Sequence, residues 1–126
     1  MVRRAWARRV LRLEPLILIL LSWTAAIGPT RAAEPDIPPA TGFVNDHAAL
    51  MDEAERARLE AFLDQVKRKT GVEFAVLTVR TTAPLSPSEY KVKVFEAWGI
   101  GRRGKDDGLL MLVALEEREV RFETGY

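Results

Sequence analysis

The chain has 126 residues, of which 29% are charged and 48% hydrophobic, so it is long enough for one small globular domain and too apolar for a disordered chain. Its formal net charge of +1 hides an asymmetry, because six of the 19 basic residues and one of the 18 acidic residues lie in positions 1–32. Residues 33–126 therefore carry 13 basic and 17 acidic residues, a net charge of −4 that gives no support for nucleic-acid binding. The lack of cysteine excludes a disulfide framework, a thiolate nucleophile and a thiolate-bound metal.

The N-terminal segment, residues 1–32, has the pattern of a signal peptide. Arginines fill its start, a leucine and isoleucine run follows, and Thr30 and Ala32 supply the small residues for cleavage after Ala32. The apolar stretch of about 12 residues is shorter than the ~20 needed to span a bilayer, so cleavage is favoured over an uncleaved anchor. Two arginine pairs suggest export by the twin-arginine route, but neither pair is followed by a convincing match to that signal, so export by the Sec route is favoured. We therefore expect an exported protein that is periplasmic, secreted or membrane-associated.

A proline-rich linker is predicted at residues 33–42. The segment holds three prolines and shows no apolar periodicity, which is typical of an extended spacer. The remaining residues, 43–126, are predicted to form the folded domain.

Two helices and three strands are predicted within the domain, after a short extended segment at 43–46. The first helix begins at the N-cap Asp52 and ends before Gly71, and the second follows the N-cap Ser86 and ends before Gly99. Two wholly apolar runs have the composition of buried strands, and a third segment alternates apolar and charged residues, as a strand with one wet face does. The predicted strands cover residues 72–79, 109–115 and about 119–124.

This order, α-β-α-β-β, predicts an α/β fold of three layers, α/β/α, with a mixed sheet. One right-handed crossover would join two parallel strands, and an antiparallel hairpin would follow. Because the last strand is still extended at Tyr126, we expect the domain to be incomplete at its C-terminus.

The loop at 99–108, Gly-Ile-Gly-Arg-Arg-Gly-Lys-Asp-Asp-Gly, is the most distinctive segment. It matches two nucleotide-binding patterns on paper, but both require a strand before the loop and a helix after it, and here the order is reversed. No nucleotide is therefore expected. Asp106 and Asp107 are adjacent carboxylates that could bind a hard cation such as calcium, but their spacing is not that of an EF-hand loop, and by themselves they are better explained as a solvated polar turn.

A second polar cluster, Asn45-Asp46-His47, precedes the first helix. Asp46 could approach the 99–108 loop through the short extended segment, or could serve only as a turn or cap. His47 is the only histidine and is expected to be a polar surface residue. With one histidine and no cysteine, a triad hydrolase is not expected.

Several segments together resemble the TPM domain family, whose members are exported bacterial and plastid proteins. They occur in the expected order and cover about residues 43–126. They are Phe43–Leu50, Lys69–Gly71, Phe95–Gly101, Gly104–Leu110 and Val120–Tyr126.

The resemblance implies a compact α/β/α domain outside the cytoplasm, often attached to the membrane by a C-terminal helix. Some relatives, notably in thylakoids, are associated with calcium binding, acid phosphatase activity and photosystem repair. Carried over by position, Asp46, Asp106 and Asp107 are predicted to form a metal-proximal acidic cluster with calcium as the possible cofactor, and Glu123 is a further candidate.

Two functions stay open from the sequence. The first is a binding or quality-control module of the cell envelope, possibly calcium-binding, with an envelope or membrane protein as partner. The second is a metal-dependent acid phosphatase, and whether the protein is an enzyme is uncertain because no nucleophile or general base is evident. Membrane contact is expected through the N-terminal segment before cleavage or through a missing C-terminal region.

Overall fold

The structure, a computed structural model, describes residue 28 and residues 31–102 and 104–125. Residues 33–126 form one compact unit. The predicted signal segment lies almost entirely outside the described residues. Among the residues that are described, no helix is long and apolar enough to cross a membrane.

Both predicted helices are confirmed, and each begins at a capping box. Helix α1 spans Glu53–Thr70 after the N-cap Asp52, and helix α2 spans Pro87–Trp98 after the N-cap Ser86. In each box the cap side chain accepts a hydrogen bond from the backbone N–H three residues on, where a glutamate accepts one from the cap backbone in return. Glycine in the left-handed conformation follows each helix, as the sequence indicates.

The sheet has four strands in chain order: β1 (Val44–Asp46), β2 (Glu73–Val79), β3 (Gly108–Ala114) and β4 (Glu119–Thr124). Strands β1, β2 and β3 are parallel, and β4 is antiparallel to β3. The mixed α/β sheet is therefore confirmed. The short extended segment before α1 is a strand of this sheet, which adds a second parallel pair to the one expected.

The two helices lie on opposite faces of the sheet and over different strands. On one face α1 packs on β1 and β2, where Leu63 contacts a cluster that includes Val44 and Val76. On the other face α2 packs on β3 and β4, where Val94 belongs to a cluster with Leu112. Each helix therefore covers about half of its own face.

The predicted linker contacts the domain. Its segment 35–39, which we call the strap, lies along α2. The hydroxyl of Tyr90 donates a hydrogen bond to the carbonyl of Asp36, and the indole N–H of Trp98 donates one to the carbonyl of Pro38, both at 2.8 Å. Ile37 packs against the apolar cluster between α2 and the sheet.

On the α1 face, β3 and β4 present an apolar surface that α1 does not cover. Met111 pairs with Phe122 and Val113 with Val120, so all four side chains lie on this face. Val120 is 53% exposed and Phe122 is 52% exposed. We call these four residues the open strip.

Candidate functional site

The ion pair between Arg102 and Asp107 holds the loop between α2 and β3. Asp107 accepts hydrogen bonds from the backbone N–H and the Nε of Arg102, both at 2.6 Å, and its own carbonyl accepts one from the N–H of Glu73 at 2.8 Å. The backbone N–H of Arg102, aided by its guanidinium, holds the pKa of Asp107 below its usual value. Asp107 is thus a structural brace that joins the loop to itself and to β2.

Glycine is required where this loop meets the start of β3. Gly101 has a φ of 83°, and a Cβ at this position would lie 2.7 Å from the backbone nitrogen of Gly108. No other residue type can bring the two backbone segments this close without a shift.

A cavity of about 300 Å³ lies in this loop, and we call it the loop cavity. Backbone from five glycines forms much of its wall, and the Asp106 and Asp107 residues also line it. The end of β4 closes one side, because a Cβ at Gly125 would lie 3.2 Å from the Cα of Asp106. Asp106 itself is exposed and has a φ of 51°. The cavity is therefore walled mainly by main chain, with one exposed carboxylate at its rim.

Asp46 lies at the opposite end of the sheet. It pairs in register with Thr78, which pairs with Val113 of β3, whereas Asp107 precedes the first residue of β3. Six residues of strand, at about 3.3 Å each, lie between the position of Asp46 and that of Asp107, so the two are roughly 20 Å apart along the strand direction. The expectation that Asp46 approaches the 99–108 loop is therefore wrong, because parallel strands carry their amino and carboxyl ends to opposite edges.

The carboxylate of Asp46 organises the turn between β1 and α1. It accepts hydrogen bonds from the Thr78 hydroxyl and from the backbone N–H groups of Leu50 and Met51, the latter two at 3.0 and 2.9 Å. Burial alone would raise the pKa of Asp46, but these hydrogen bonds outweigh burial and hold it below its usual value. The turn role that the sequence left open is the one that the geometry supports.

Glu123 is buried against α2, where its carboxylate forms an ion pair with Lys91. Its register partner on β3 is Leu110, so its side chain lies on the α2 face of the sheet. Of the four predicted metal ligands, only Asp106 and Asp107 line a common cavity.

These contacts do not fit a calcium site made from the four predicted residues together. Calcium takes six to eight oxygen ligands, and a neighbouring cation opposes its binding. Both oxygens of Asp107 are engaged by Arg102, Glu123 is paired with Lys91, and Asp46 lies at the other end of the sheet. Within residues 31–102 and 104–125, no group of three or more histidine, cysteine or acidic residues could hold a metal ion.

Two residues that matter here were not singled out from the sequence. Arg102 is one of three basic residues in the 99–108 loop, and its five-residue spacing to Asp107 is the sequence signal for their pairing. Glu117 lies in the turn between β3 and β4, and its carboxylate accepts hydrogen bonds from the Thr81 hydroxyl at 2.7 Å and the Thr82 N–H at 3.0 Å. These contacts close the carboxyl edge of the sheet, and sequence spacing gave no sign of them.

The TPM domain family model matches residues 44–126, which include every strand and helix described above. The chain belongs to the TPM domain family. A solved N-terminal domain of a protein from P. gingivalis is similar to this TPM domain, with 34% sequence identity and a TM-score of 0.62 over 68% of this chain. A solved N-terminal domain from Corynebacterium glutamicum is 19% identical with a TM-score of 0.56 over 75% of this chain, and it supports the fold alone.

This TPM domain spans only part of those solved chains, 55% of the first and 59% of the second. Comparison with curated proteins finds no match. The family resemblance predicted from the sequence is confirmed, and with it the α/β fold.

Proposed function

We propose that this TPM domain is a binding module outside the cytoplasm and that it binds at the loop cavity. One observation carries the proposal: the glycine-rich loop at 99–108 is braced by Arg102 and Asp107 around a cavity of about 300 Å³. That volume is at the lower end of small-molecule sites, which are usually preformed. Export rests on the signal pattern of residues 1–32, and an envelope or membrane protein is the partner class that fits it.

The lining of the loop cavity indicates the chemistry of its ligand. Glycine backbone offers N–H and C=O groups without side-chain obstruction, and Asp106 adds one carboxylate. A small polar group or a segment of peptide backbone is complementary to such a wall. Calcium bound by Asp106 and Asp107 alone stays a prediction, and it would have to displace Arg102 from Asp107.

The metal-dependent acid phosphatase is the weaker alternative. A phosphatase of this kind needs carboxylates that converge on a metal beside the phosphoryl group. The separation of Asp46 from Asp106 by the length of the sheet and the pairing of Glu123 with Lys91 both count against it.

An amide NMR titration with N-acetylglycinamide tests the binding module, and an assay of p-nitrophenyl phosphate hydrolysis tests the phosphatase. We expect N-acetylglycinamide, a small peptide-backbone probe, to shift the resonances of residues 99–108 and Gly125, and Asp106→Ala to abolish these shifts. Glu96→Ala, which removes an exposed acid of α2 outside the loop cavity, is the matched control and should leave them unchanged.

Two outcomes would contradict the binding module. Probe-induced shifts that fall elsewhere or survive Asp106→Ala would remove the loop cavity from the proposal. Release of p-nitrophenol that is lost in both Asp106→Ala and Asp107→Asn would establish the phosphatase instead, whereas release that is unaffected by either change would come from a contaminant.

A further inference from the structure

Helix α2 donates hydrogen bonds to the backbone of the strap rather than to its side chains. The donors from α2, the Tyr90 hydroxyl and the Trp98 indole N–H, both bind main-chain carbonyls, those of Asp36 and Pro38, each at 2.8 Å. Tyr90 is only 3% exposed, so its hydroxyl is fixed in position by the packing of α2 on the sheet. Ile37, between the two bonded residues, is the side chain that packs into the apolar cluster.

The composition of the strap matches this mode of contact. Pro35, Pro38 and Pro39 favour the extended polyproline conformation, in which the carbonyls point outward and make no internal hydrogen bonds. Aromatic side chains that donate to such carbonyls are a recurring means of recognising proline-rich peptides, because a pre-extended chain loses little entropy on docking. The surface of α2 with Tyr90 and Trp98 offers the same donors.

A second cavity lies beneath the segment that follows the strap, between this segment and the rest of the domain. This cavity measures about 320 Å³ and lies between residues 40–43 on one side and Glu73, Ala75, Trp98 and Ile100 on the other. Half of its lining therefore comes from the segment that leads out of the strap. Removal of the strap from α2 would open this space into a groove that continues past Trp98.

We propose that the Tyr90–Trp98 surface of α2 is a docking groove for extended, proline-containing peptide segments of a partner protein, and that the strap occupies this groove as a built-in competitor. This groove is separate from the loop cavity, so the proposal does not depend on the function assigned there. A partner segment would place an apolar residue in the position of Ile37 and carbonyls opposite Tyr90 and Trp98. The strap is tethered to the domain, so it competes at an effective concentration in the millimolar range. To displace the strap, a partner must therefore have a segment that binds α2 tightly, or must also bind a neighbouring surface of the domain.

Trp98 provides a direct reporter. The chain has three tryptophans, Trp6, Trp23 and Trp98, so Trp6→Phe and Trp23→Phe in the full chain leave only the indole that contacts the strap. In this background Ile37→Asp should release the strap, and the Trp98 emission should move to longer wavelength as the indole becomes hydrated. Adding a synthetic peptide of residues 34–40 should then reverse the shift with saturation, while the same peptide should leave the parent chain unchanged.

Tyr90→Phe in the released background separates docking from a general effect on folding. Loss of one hydrogen bond should weaken peptide binding about fivefold, because a neutral hydrogen bond is worth about 1 kcal/mol. Val92→Ala, a change at an exposed position of α2 away from the strap contacts, is the matched control and should not alter binding. Far-UV circular dichroism checks that each variant is folded.

A second release variant keeps the test decisive if Ile37→Asp unfolds the domain. Pro38→Gly combined with Pro39→Gly loosens the strap without burying a charge, and the same peptide titration applies. Failure of the peptide to restore the Trp98 emission in a folded, released variant would overturn the proposal. So would equal binding to parent and released chains, or a parent dimer that Ile37→Asp dissociates, since the latter would assign the groove to a second copy of the chain.

Discussion

At the scale of single residues, the acidic side chains of this domain act mainly as acceptors that fix loops. Asp107 holds the loop cavity, Asp46 holds the turn before α1, and Glu117 holds the segment after β2. Each of them accepts hydrogen bonds that favour its charged form, and each therefore has a pKa below its ordinary value. The main donor is the backbone N–H of Arg102 for Asp107 and the Thr81 hydroxyl for Glu117. The effect of burial on the pKa of Asp46 is outweighed by hydrogen bonds from the Thr78 hydroxyl and two backbone N–H groups. Such carboxylates stabilise the fold in their charged form.

Asp46 should make stability depend on pH in the acid range. Its pKa is lowered in the folded protein, so its contribution is complete above the unfolded value near pH 4 and is lost as the pH falls below it. Urea unfolding at pH 7 and pH 3 should show Asp46→Asn to be clearly destabilising at pH 7, with a smaller difference from the parent at pH 3. An equal destabilisation at both pH values would mean that the carboxylate charge is not involved.

The site residues were predictable only in part. The adjacency of Asp106 and Asp107 in a glycine-rich loop was visible in the sequence, and both residues line the loop cavity. The approach of Asp46 to the loop was predicted wrongly because it depends on the direction of the strands. The 18-residue helix α1 connects β1 to β2 as a crossover between parallel strands. Asp46 ends β1 and therefore lies at the carboxyl edge of the sheet, whereas the 99–108 loop leads into β3 at the amino edge.

At the scale of secondary-structure elements, the two helices are defined by their ends. Both capping boxes and both terminal glycines were readable from residue type and spacing, because these signals are local. Strand β1 was the element that the sequence described least well. It has three residues, and the carboxylate of Glu60 in α1 accepts the backbone N–H groups of Phe43 and Val44 at 2.9 and 2.7 Å, a contact between distant segments that no local pattern shows.

Ser86 tests the importance of a cap for α2. Its hydroxyl accepts the N–H of Glu89, so Ser86→Ala should lower the free energy of unfolding by about 1 kcal/mol. Ser88→Ala is the matched control, because Ser88 is an exposed residue within the same helix and should change stability by less than about 0.5 kcal/mol. Equal effects of the two changes in thermal or urea unfolding would exclude the cap as the cause.

At the scale of the whole molecule, the sequence predicted helices on both faces of the sheet but did not predict which strands each helix covers. Strands β1, β2 and β3 follow one another in the same direction across the sheet, yet their connecting helices lie on opposite faces. The two crossovers therefore have opposite hands, and one of them is of the left-handed kind that is rare in such units. Apolar periodicity shows which residues of a helix are buried but does not show which strands the helix covers.

The two faces of β3 and β4 should respond differently to substitution. Leu112 is fully buried under α2, so Leu112→Ala should lower the free energy of unfolding by about 2–5 kcal/mol. Phe122 on the open strip is 52% exposed, and Phe122→Ser should lower it by no more than about 1 kcal/mol. Urea denaturation of both variants measures the difference, and a loss at Phe122 as large as that at Leu112 would show that the strip is covered in solution.

The open strip also affects how this protein will look in a routine assay. Dyes such as anilinonaphthalene sulfonate fluoresce when they bind exposed apolar surface, and their signal is commonly taken as a mark of a loosely packed intermediate. Here the fully native domain offers Met111, Val113, Val120 and Phe122 to the dye. Dye fluorescence will therefore accompany an intact near-ultraviolet dichroism spectrum, and only the second of these signals will report whether the chain has unfolded.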